Sequence, residues 1–144
     1  MINSFCLGES VMPTHARQLG QRGESIAQDF YRNRGYEIIA RNVYYRGGEI
    51  DLIVRPGDGP PGAIVFVEVK TRSSRAFGGA EAVTTKKLHR MRHAAVRWLS
   101  EQEHCDGASF LGQIRFDVVV VSADTDPNKG VAVEVFEGVE RGAC

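Results

Sequence analysis

The chain has 144 residues, of which 42% are apolar and 25% charged, and these values predict one globular domain with a single core. No run of about 18 apolar residues occurs, so no membrane span is expected, and residues 1–13 lack the basic start and apolar run of a signal peptide. The three cysteines form neither a metal-binding spacing nor a disulfide framework, and the simplest compartment is a reducing cytoplasm.

The formal net charge is zero, but the charges are unevenly distributed along the chain. Positions 15–97 hold 15 Lys and Arg against 8 Asp and Glu, so the remaining positions hold 3 basic and 10 acidic residues. A basic body with an acidic flank is typical of a protein that binds a polyanion. Ordinary scatter of surface charge explains the same count equally well.

The first predicted element is a helix over about residues 14–34, which follows a mobile tail over residues 1–13. Small and apolar residues recur there at helical spacing, and Gly35 is suited to end the helix in a left-handed conformation. Glu24 lies beside the apolar stripe rather than opposite it. Spacing alone favours a boundary residue that is solvated or paired locally, over a carboxylate that reaches the neighbouring strands.

Residues 36–46 form the first predicted strand, because they are rich in Ile, Val and Tyr. Gly47 and Gly48 follow as a two-residue hairpin turn in which both can adopt positive φ. That register places Arg46 opposite Glu49. We therefore expect Glu49 to pair with Arg46 or with a lysine on the next strand, in preference to binding a metal.

The next two strands are predicted to be antiparallel and joined by a turn-rich loop over residues 56–62. Charged and aliphatic residues alternate in both, which is the period of a β-strand. A register that places Asp51 opposite Glu68 also places Leu52 opposite Val67. The charged side chains then gather at one end of an otherwise apolar face, which solvated surface charges usually do not do.

The chemistry of this end of the face follows from its three charged groups. Opposed side chains lie roughly 5 Å apart at Cβ, so the carboxylates of Asp51 and Glu68 repel unless a proton or a cation lies between them. Mg²⁺ suits such a pair of oxygen donors. Lys70 lies one step along the same face and can orient or deprotonate a water, or stabilise a charged transition state. This set suits phosphodiester hydrolysis.

A second helix is predicted over about residues 84–102, after a mobile basic loop over residues 71–79. One of its faces is apolar and another is basic. The basic face is either a solvated surface or a ridge that contacts phosphates. Two of its histidines are four residues apart, as in helical zinc sites, but no HExxH frame is present, so a surface role is preferred. The basic residues are Lys86, His89, Arg90, His93 and Arg97.

The C-terminal part is predicted to contain a loop over residues 101–112, a central strand over 114–122, a turn over 124–130 and a half-exposed strand over 131–139. Asp117 lies in the central strand and is either a carboxylate behind the site or the partner of a neighbouring arginine or backbone amide. The element order is therefore α-β-β-β-α-β-β. It predicts an α/β fold with a mixed β-sheet flanked by helices.

Asp51, followed on the next strand by Glu68-x-Lys70, resembles the PD-(D/E)xK motif of restriction-endonuclease-like nucleases, with Ile50 where that motif has proline. The order of elements is similar to the common core of the same superfamily. More narrowly, the chain resembles the YraN-like family of small bacterial proteins over about residues 17–139. The matching segments are Gly23-Glu24, Gly48-Glu49-Ile50-Asp51-Leu52-Ile53, Phe66-Val67-Glu68-Val69-Lys70-Thr71-Arg72, Phe77-Gly78, Glu81-Ala82-Val83, Lys86 and Arg115-Phe116-Asp117.

The resemblance implies a restriction-endonuclease-like fold in a single nuclease-like domain over residues 14–140. It also implies that Asp51 and Glu68 are metal ligands and that Lys70 is the catalytic lysine. Glu24 matches an acidic residue on the first helix of archaeal Holliday-junction resolvases, so it becomes a carboxylate of the metal site or one just behind it. The implied cofactor is Mg²⁺ or Mn²⁺.

The implied activity is metal-dependent cleavage of DNA, on branched or recombination and repair intermediates. Similarity to resolvases implies a homodimer, because the two strands of a branched substrate need two sites. The alternatives are a nucleic-acid-binding module with an inactive nuclease-like site, and a protein-interaction domain whose carboxylates serve the fold. The predicted contacts to nucleic acid are Arg72, Lys86, Arg90 and Arg97.

Overall fold

The computed structural model describes residues 14–59, 62–72, 84–106, 114–123, 128 and 130–139. The predicted tail over residues 1–13 lies outside this part, as do most of the predicted loop at 71–79 and of the turn at 124–130. The described residues form α1 (His15–Arg32), β1 (Tyr36–Tyr45), β2 (Gly48–Pro56), β3 (Ile64–Arg72), α2 (Thr85–Asp106), β4 (Ile114–Ser122) and β5 (Ala132–Phe136). The predicted order α-β-β-β-α-β-β is confirmed.

The strands form one mixed sheet in the order β1-β2-β3-β4-β5. Among the described strands, only β3 and β4 form a parallel pair, and α2 lies in the connection between these two strands. The other neighbouring pairs are antiparallel. A parallel pair needs such a crossover, and its strands are expected to be apolar on both faces. This is the pattern of β4, in which Val118 to Val121 are all buried.

The helices cover opposite faces of the sheet, and each face has its own core. On the α1 face, Leu19, Ala27 and Tyr31 pack with side chains of β2, β3 and β4. On the α2 face, Met91 and Trp98 pack with a second set from the same strands. Burying both faces requires strands with apolar residues at successive positions. In the part of the chain that the structure describes, neither helix is long and apolar enough to cross a membrane.

The predicted register between β2 and β3 is confirmed in the centre of the sheet, where Leu52 lies opposite Val67 and Ile53 opposite Phe66. The hairpin register between β1 and β2 is wrong by two residues: Tyr44 rather than Arg46 lies opposite Glu49.

The Gly-Gly pair of the hairpin serves a different purpose from the predicted one, since neither glycine has a positive φ. Gly48 is buried, and a Cβ on it would lie 2.1 Å from the backbone oxygen of Arg90. Glycine at this position therefore lets β2 approach the backbone of α2. The turn itself is formed one residue earlier than predicted, by Arg46 and Gly47.

Several boundaries also differ from the predictions. The loop expected from residue 101 is wrong, because α2 continues to Asp106. Glu101 is anchored within the helix by the hydroxyl of Tyr45, which donates a 2.7 Å hydrogen bond to it. Arg72 belongs to β3 rather than to a loop, because it pairs with Ser122 of β4. β5 is shorter than predicted, since the chain turns after Phe136 and Gly138 has φ +63°.

Candidate functional site

A cavity of about 360 Å³ lies at the end of the sheet where β2 and β3 separate. The ladder between these strands runs only from Val54 to Leu52, so Asp51 lies just beyond its end. Both helices close the cavity through their N-terminal parts. The lining residues are Ala16, Leu19, Gly20, Glu24, Glu49, Asp51, Glu68, Val69, Lys70, Thr71 and Lys87.

The strict alternation of β2 is interrupted at Asp51. Ile50 and Ile53 both pack on the α2 side although they are three residues apart, whereas Leu52 packs on the α1 side. An odd spacing between two residues of one face is not possible in a regular strand. The carboxylate of Asp51 turns to β3, where its Oδ2 accepts a 2.8 Å hydrogen bond from the backbone N–H of Val69.

Glu68 is the most deeply buried charged group of the cavity, with 2% of its surface exposed. Burial, followed by the nearby charge of Asp51, raises the pKa of Glu68 to about 7. Burial also raises the pKa of Asp51, although the N–H of Val69 and a contact with Glu68 counteract part of this effect. The two carboxyl groups therefore compete for ionisation, as expected for opposed carboxylates in a poorly solvated place.

Two lysines approach Glu68 from different elements. The ammonium group of Lys87, in the first turn of α2, contacts Glu68 Oε1, and the ammonium group of Lys70 lies 4.0 Å from the same oxygen. The other oxygen, Oε2, is buried and has no hydrogen-bond partner among the residues that the structure describes. Contact with Lys87 and then burial lower the pKa of Lys70. For Lys87, burial lowers the pKa, but contacts with Glu68 and Lys70 outweigh it and raise the pKa overall.

Glu24 enters the cavity because α1 runs unusually close to β3. A Cβ on Gly23 would lie 1.9 Å from Thr71 Oγ1, so only glycine permits this approach. Burial, followed by the charge of Asp51, raises the pKa of Glu24. Glu24 thus lines the same cavity as Asp51, Glu68 and Lys70. Glu49 also lines the cavity, and it lies opposite Tyr44 rather than Arg46.

Lys87 was missed by the sequence analysis, which placed only its neighbour Lys86 on a functional face. The buried residues of α2 include Met91, Ala94 and Trp98, and Lys87 precedes them by four, seven and eleven residues. It therefore continues their stripe into the first helical turn. A lysine on the apolar stripe of a helix, in a chain whose strands carry the opposed carboxylates of Asp51 and Glu68, is the sequence pattern that could have predicted this contact.

The four basic residues predicted to contact nucleic acid do not line this cavity. Lys86 and Arg90 are exposed on α2, and Arg72 is half-buried at the end of β3. Arg97 lies ten residues beyond Lys87, or about 15 Å along the helix axis at 1.5 Å per residue. Its guanidinium group lies 3.6 Å from Glu101 and 5.0 Å above the ring of Tyr45.

A second cavity, of about 550 Å³, follows the outer side of α2. It contains His89 and His93, which the sequence placed at the spacing of a helical zinc site. Within the described residues, no three or more His, Cys, Asp or Glu side chains are grouped as a metal site. The lining residues are His89, Arg92, His93, Val96, Arg97, Ser100 and Glu101.

Asp117 is a structural carboxylate away from the cavity. It is fully buried, and its two oxygens accept hydrogen bonds from the Tyr31 hydroxyl (2.9 Å), the Arg115 guanidinium group (2.8 and 2.9 Å) and the backbone N–H of Gly138 (3.2 Å). Of the two roles left open for Asp117, pairing with the neighbouring arginine is the one observed. The network ties α1, β4 and the turn after β5 together.

Comparisons with known proteins agree on one family. A sequence model of the uncharacterised protein family UPF0102 matches residues 23–121, a range that includes all four carboxylates and both lysines of the cavity. A UPF0102 protein of Corynebacterium efficiens is 46% identical over 92% of this chain and 99% of its own length. Corresponding proteins of Corynebacterium diphtheriae and Nocardia farcinica are 42% and 50% identical, over 91% and 72% of this chain and 98% and 75% of their own lengths.

Proposed function

The chain belongs to the uncharacterised protein family UPF0102, in line with its resemblance to YraN-like proteins, and we propose that it is a metal-dependent DNA endonuclease. The observation that carries the proposal is a pair of carboxyl groups, the half-buried one of Asp51 and the buried one of Glu68, which share one cavity with two lysines. Such a cluster costs folding free energy, since burial disfavours each charge. Clusters of this kind are enriched at functional sites.

The donor atoms present fit a hard divalent cation. Asp51 and Glu68 supply carboxylate oxygens, and Glu68 Oε2 is buried with no hydrogen-bond partner in the described part of the chain. Mg²⁺ is commonly held by one or two carboxylates and keeps several waters, so a third protein ligand is not required. Glu24 and Glu49 line the same cavity and add negative charge that attracts the cation. When bound, the cation offsets charge on a phosphate and lowers the pKa of a water.

The roles of the chain's own groups follow from their positions. Lys70 lies on the same strand as Glu68 and faces the cavity, so it can orient a water beside a bound phosphate. Its lowered pKa brings it closer to accepting a proton from that water. The N–H of Val69 fixes Asp51 through a 2.8 Å hydrogen bond and so keeps its carboxylate aimed at the same place.

The proposed substrate is DNA, and α2 supplies the reason. The first turn of α2 contributes Lys87 to the cavity. The same helix carries the exposed basic residues Lys86, Arg90 and Arg97. Such residues bind phosphates without reading the base sequence. Branched DNA and a homodimer remain predictions from the similarity to resolvases. Mg²⁺ or Mn²⁺ is the proposed cofactor.

A panel of linear, nicked and four-way DNA substrates with Mg²⁺ or Mn²⁺ tests the activity. We expect metal-dependent cleavage by the wild-type protein, and a loss of about 100-fold or more in Asp51→Asn and Lys70→Met. Glu134→Gln is the matched control, because it changes an exposed glutamate of β5 in the same chemical way. Equal rates in wild type and Asp51→Asn would show that the cleavage arises elsewhere or from a contaminant.

The contact between Lys87 and Glu68 favours one competing function. A lysine that already neutralises the buried carboxylate would also suit a nucleic-acid-binding module whose nuclease-like site is inactive. That module would bind DNA with an affinity that falls steeply as salt rises. It would cleave no member of the substrate panel with any divalent metal. In that case the wild-type protein would also bind Mn²⁺ no more tightly than Asp51→Asn.

A further inference from the structure

Lys87 occupies the place in the cavity that the proposed cofactor needs. Its ammonium group contacts Glu68 Oε1, and Glu68 is 2% exposed, so water does little to stabilise the carboxylate. Lys70 makes the weaker contact, since its ammonium group lies 4.0 Å from the same oxygen. Lys87 is thus the principal counter-ion of Glu68 within the described part of the chain.

Two cations cannot share this position at low cost. A divalent ion that binds between Asp51 and Glu68 would lie beside the ammonium group of Lys87, in a place where burial weakens the screening of like charges. Lys87 has a route out, because its side chain is 28% exposed and ends at the cavity. Its flexible four-carbon stem permits the movement without a change in α2.

We infer that Lys87 is a built-in counter-ion of Glu68 that the divalent cation displaces when it binds. The inference rests on the proposed metal-binding role of Asp51 and Glu68. In the absence of metal, the lysine keeps a buried carboxylate from remaining unpaired. When metal binds, the ammonium group moves to the open side of the cavity, where it faces the phosphate of the substrate. Lys87 is accordingly a positioning residue for the metal site.

The first test is calorimetric titration of Mn²⁺ into the metal-free protein without DNA. Lys87→Met removes the competing charge and keeps an unbranched side chain of similar length. We expect it to bind Mn²⁺ at least about tenfold more tightly than wild type. A tenfold change in affinity needs less free energy than the repulsion between two adjacent like charges provides. Lys86→Met is the matched control: it removes the same charge from the neighbouring exposed position and should leave the affinity unchanged.

The second test separates displacement from long-range repulsion. An amine-acetylating reagent is applied with and without Mg²⁺, and the modification of each lysine is followed by mass spectrometry. Displacement predicts that Mg²⁺ accelerates acetylation of Lys87 severalfold and leaves Lys86 unaffected. If Lys87 keeps its protection when metal is bound, the lysine does not leave Glu68 and the inference is overturned.

The outcomes distinguish this inference from the proposed function. Equal Mn²⁺ affinities in wild type and Lys87→Met, together with weaker binding by Asp51→Asn, would overturn the role of Lys87 and keep the metal site. A lack of Mn²⁺ binding by wild type and Lys87→Met alike would overturn both. Tighter binding by Lys87→Met that is abolished by adding Asp51→Asn, with metal-dependent acetylation of Lys87, supports both.

Discussion

Replacing Glu68 with glutamine should change how the stability of the metal-free protein depends on pH. The pKa of Glu68 is raised from its usual 4.5 to about 7 in the folded protein. Between these values the folded chain holds a proton that the unfolded chain has lost. Stability should therefore fall as pH rises through this window, and the loss is complete above about pH 7.

The magnitude follows from the size of the shift. One pKa unit corresponds to about 1.4 kcal/mol, so the rise from 4.5 to about 7 costs the ionised protein roughly 3 kcal/mol of unfolding free energy. The attraction of Lys87 is already contained in this balance, because it counteracts part of the effect of burial. Glutamine cannot ionise, so Glu68→Gln should lack this loss and be the more stable protein above about pH 7.

Urea denaturation at a series of pH values, in the presence of a chelator, measures the effect. Glu134→Gln is the control, since it makes the same chemical change at an exposed position of β5. We expect the control to follow the wild-type pH dependence and Glu68→Gln to flatten it. If Glu68→Gln retains the wild-type slope across this window, burial of the Glu68 carboxyl group is not the source of the pH dependence.

Two further predictions concern how α1 is held against the sheet. Gly23→Ala should cost about 1–3 kcal/mol, because its Cβ would meet Thr71 Oγ1 at 1.9 Å. A Cβ on Gly20 would meet no described atom within 4 Å, so Gly20→Ala should gain up to about 1 kcal/mol from helix propensity. Urea denaturation measures both effects, and adding Thr71→Ala to Gly23→Ala should recover part of the lost stability. Equal effects at the two glycines would contradict the close approach of α1 to β3. Tyr31→Phe should cost about 2 kcal/mol by the same measurement, since the buried carboxylate of Asp117 loses one of its hydrogen-bond donors. A change near zero would mean that the other donors to Asp117 suffice.

The centre of the sheet was predictable because burial on both faces leaves little freedom of register. A shift of one residue between β2 and β3 would exchange the faces of every side chain in the pair. Leu52 opposite Val67 and Ile53 opposite Phe66 therefore followed from the sequence pattern alone. The order of elements was predictable because both helices have a clear apolar stripe, which distinguishes them from the strands.

The hairpin register was not predictable from local chemistry. A Gly-Gly pair favours a tight turn because glycine readily adopts positive φ, and this preference placed Arg46 opposite Glu49. Gly48 is instead required by the carbonyl oxygen of Arg90, which lies on a helix some forty positions later in the chain. Lys87 escaped notice for a similar reason. Its place on the apolar stripe of α2 can be read from the sequence, but its contact with Glu68 depends on which end of the sheet α2 starts against, and no local pattern contains that information.

The position of the site at the end of a ladder explains why a cation is needed there. β3 cannot relieve the burial of Glu68 by moving, because all nine of its residues pair with β4 and its centre also pairs with β2. Asp51 is also held in place, since its Oδ2 accepts a hydrogen bond from the backbone N–H of Val69 just beyond the end of the ladder between β2 and β3. Two carboxyl groups fixed by the sheet cannot separate, so only a proton or a cation reduces their repulsion. Lys87 meets that need in the protein alone, and the exchange of its ammonium group for a divalent ion is the step that we propose for this cavity.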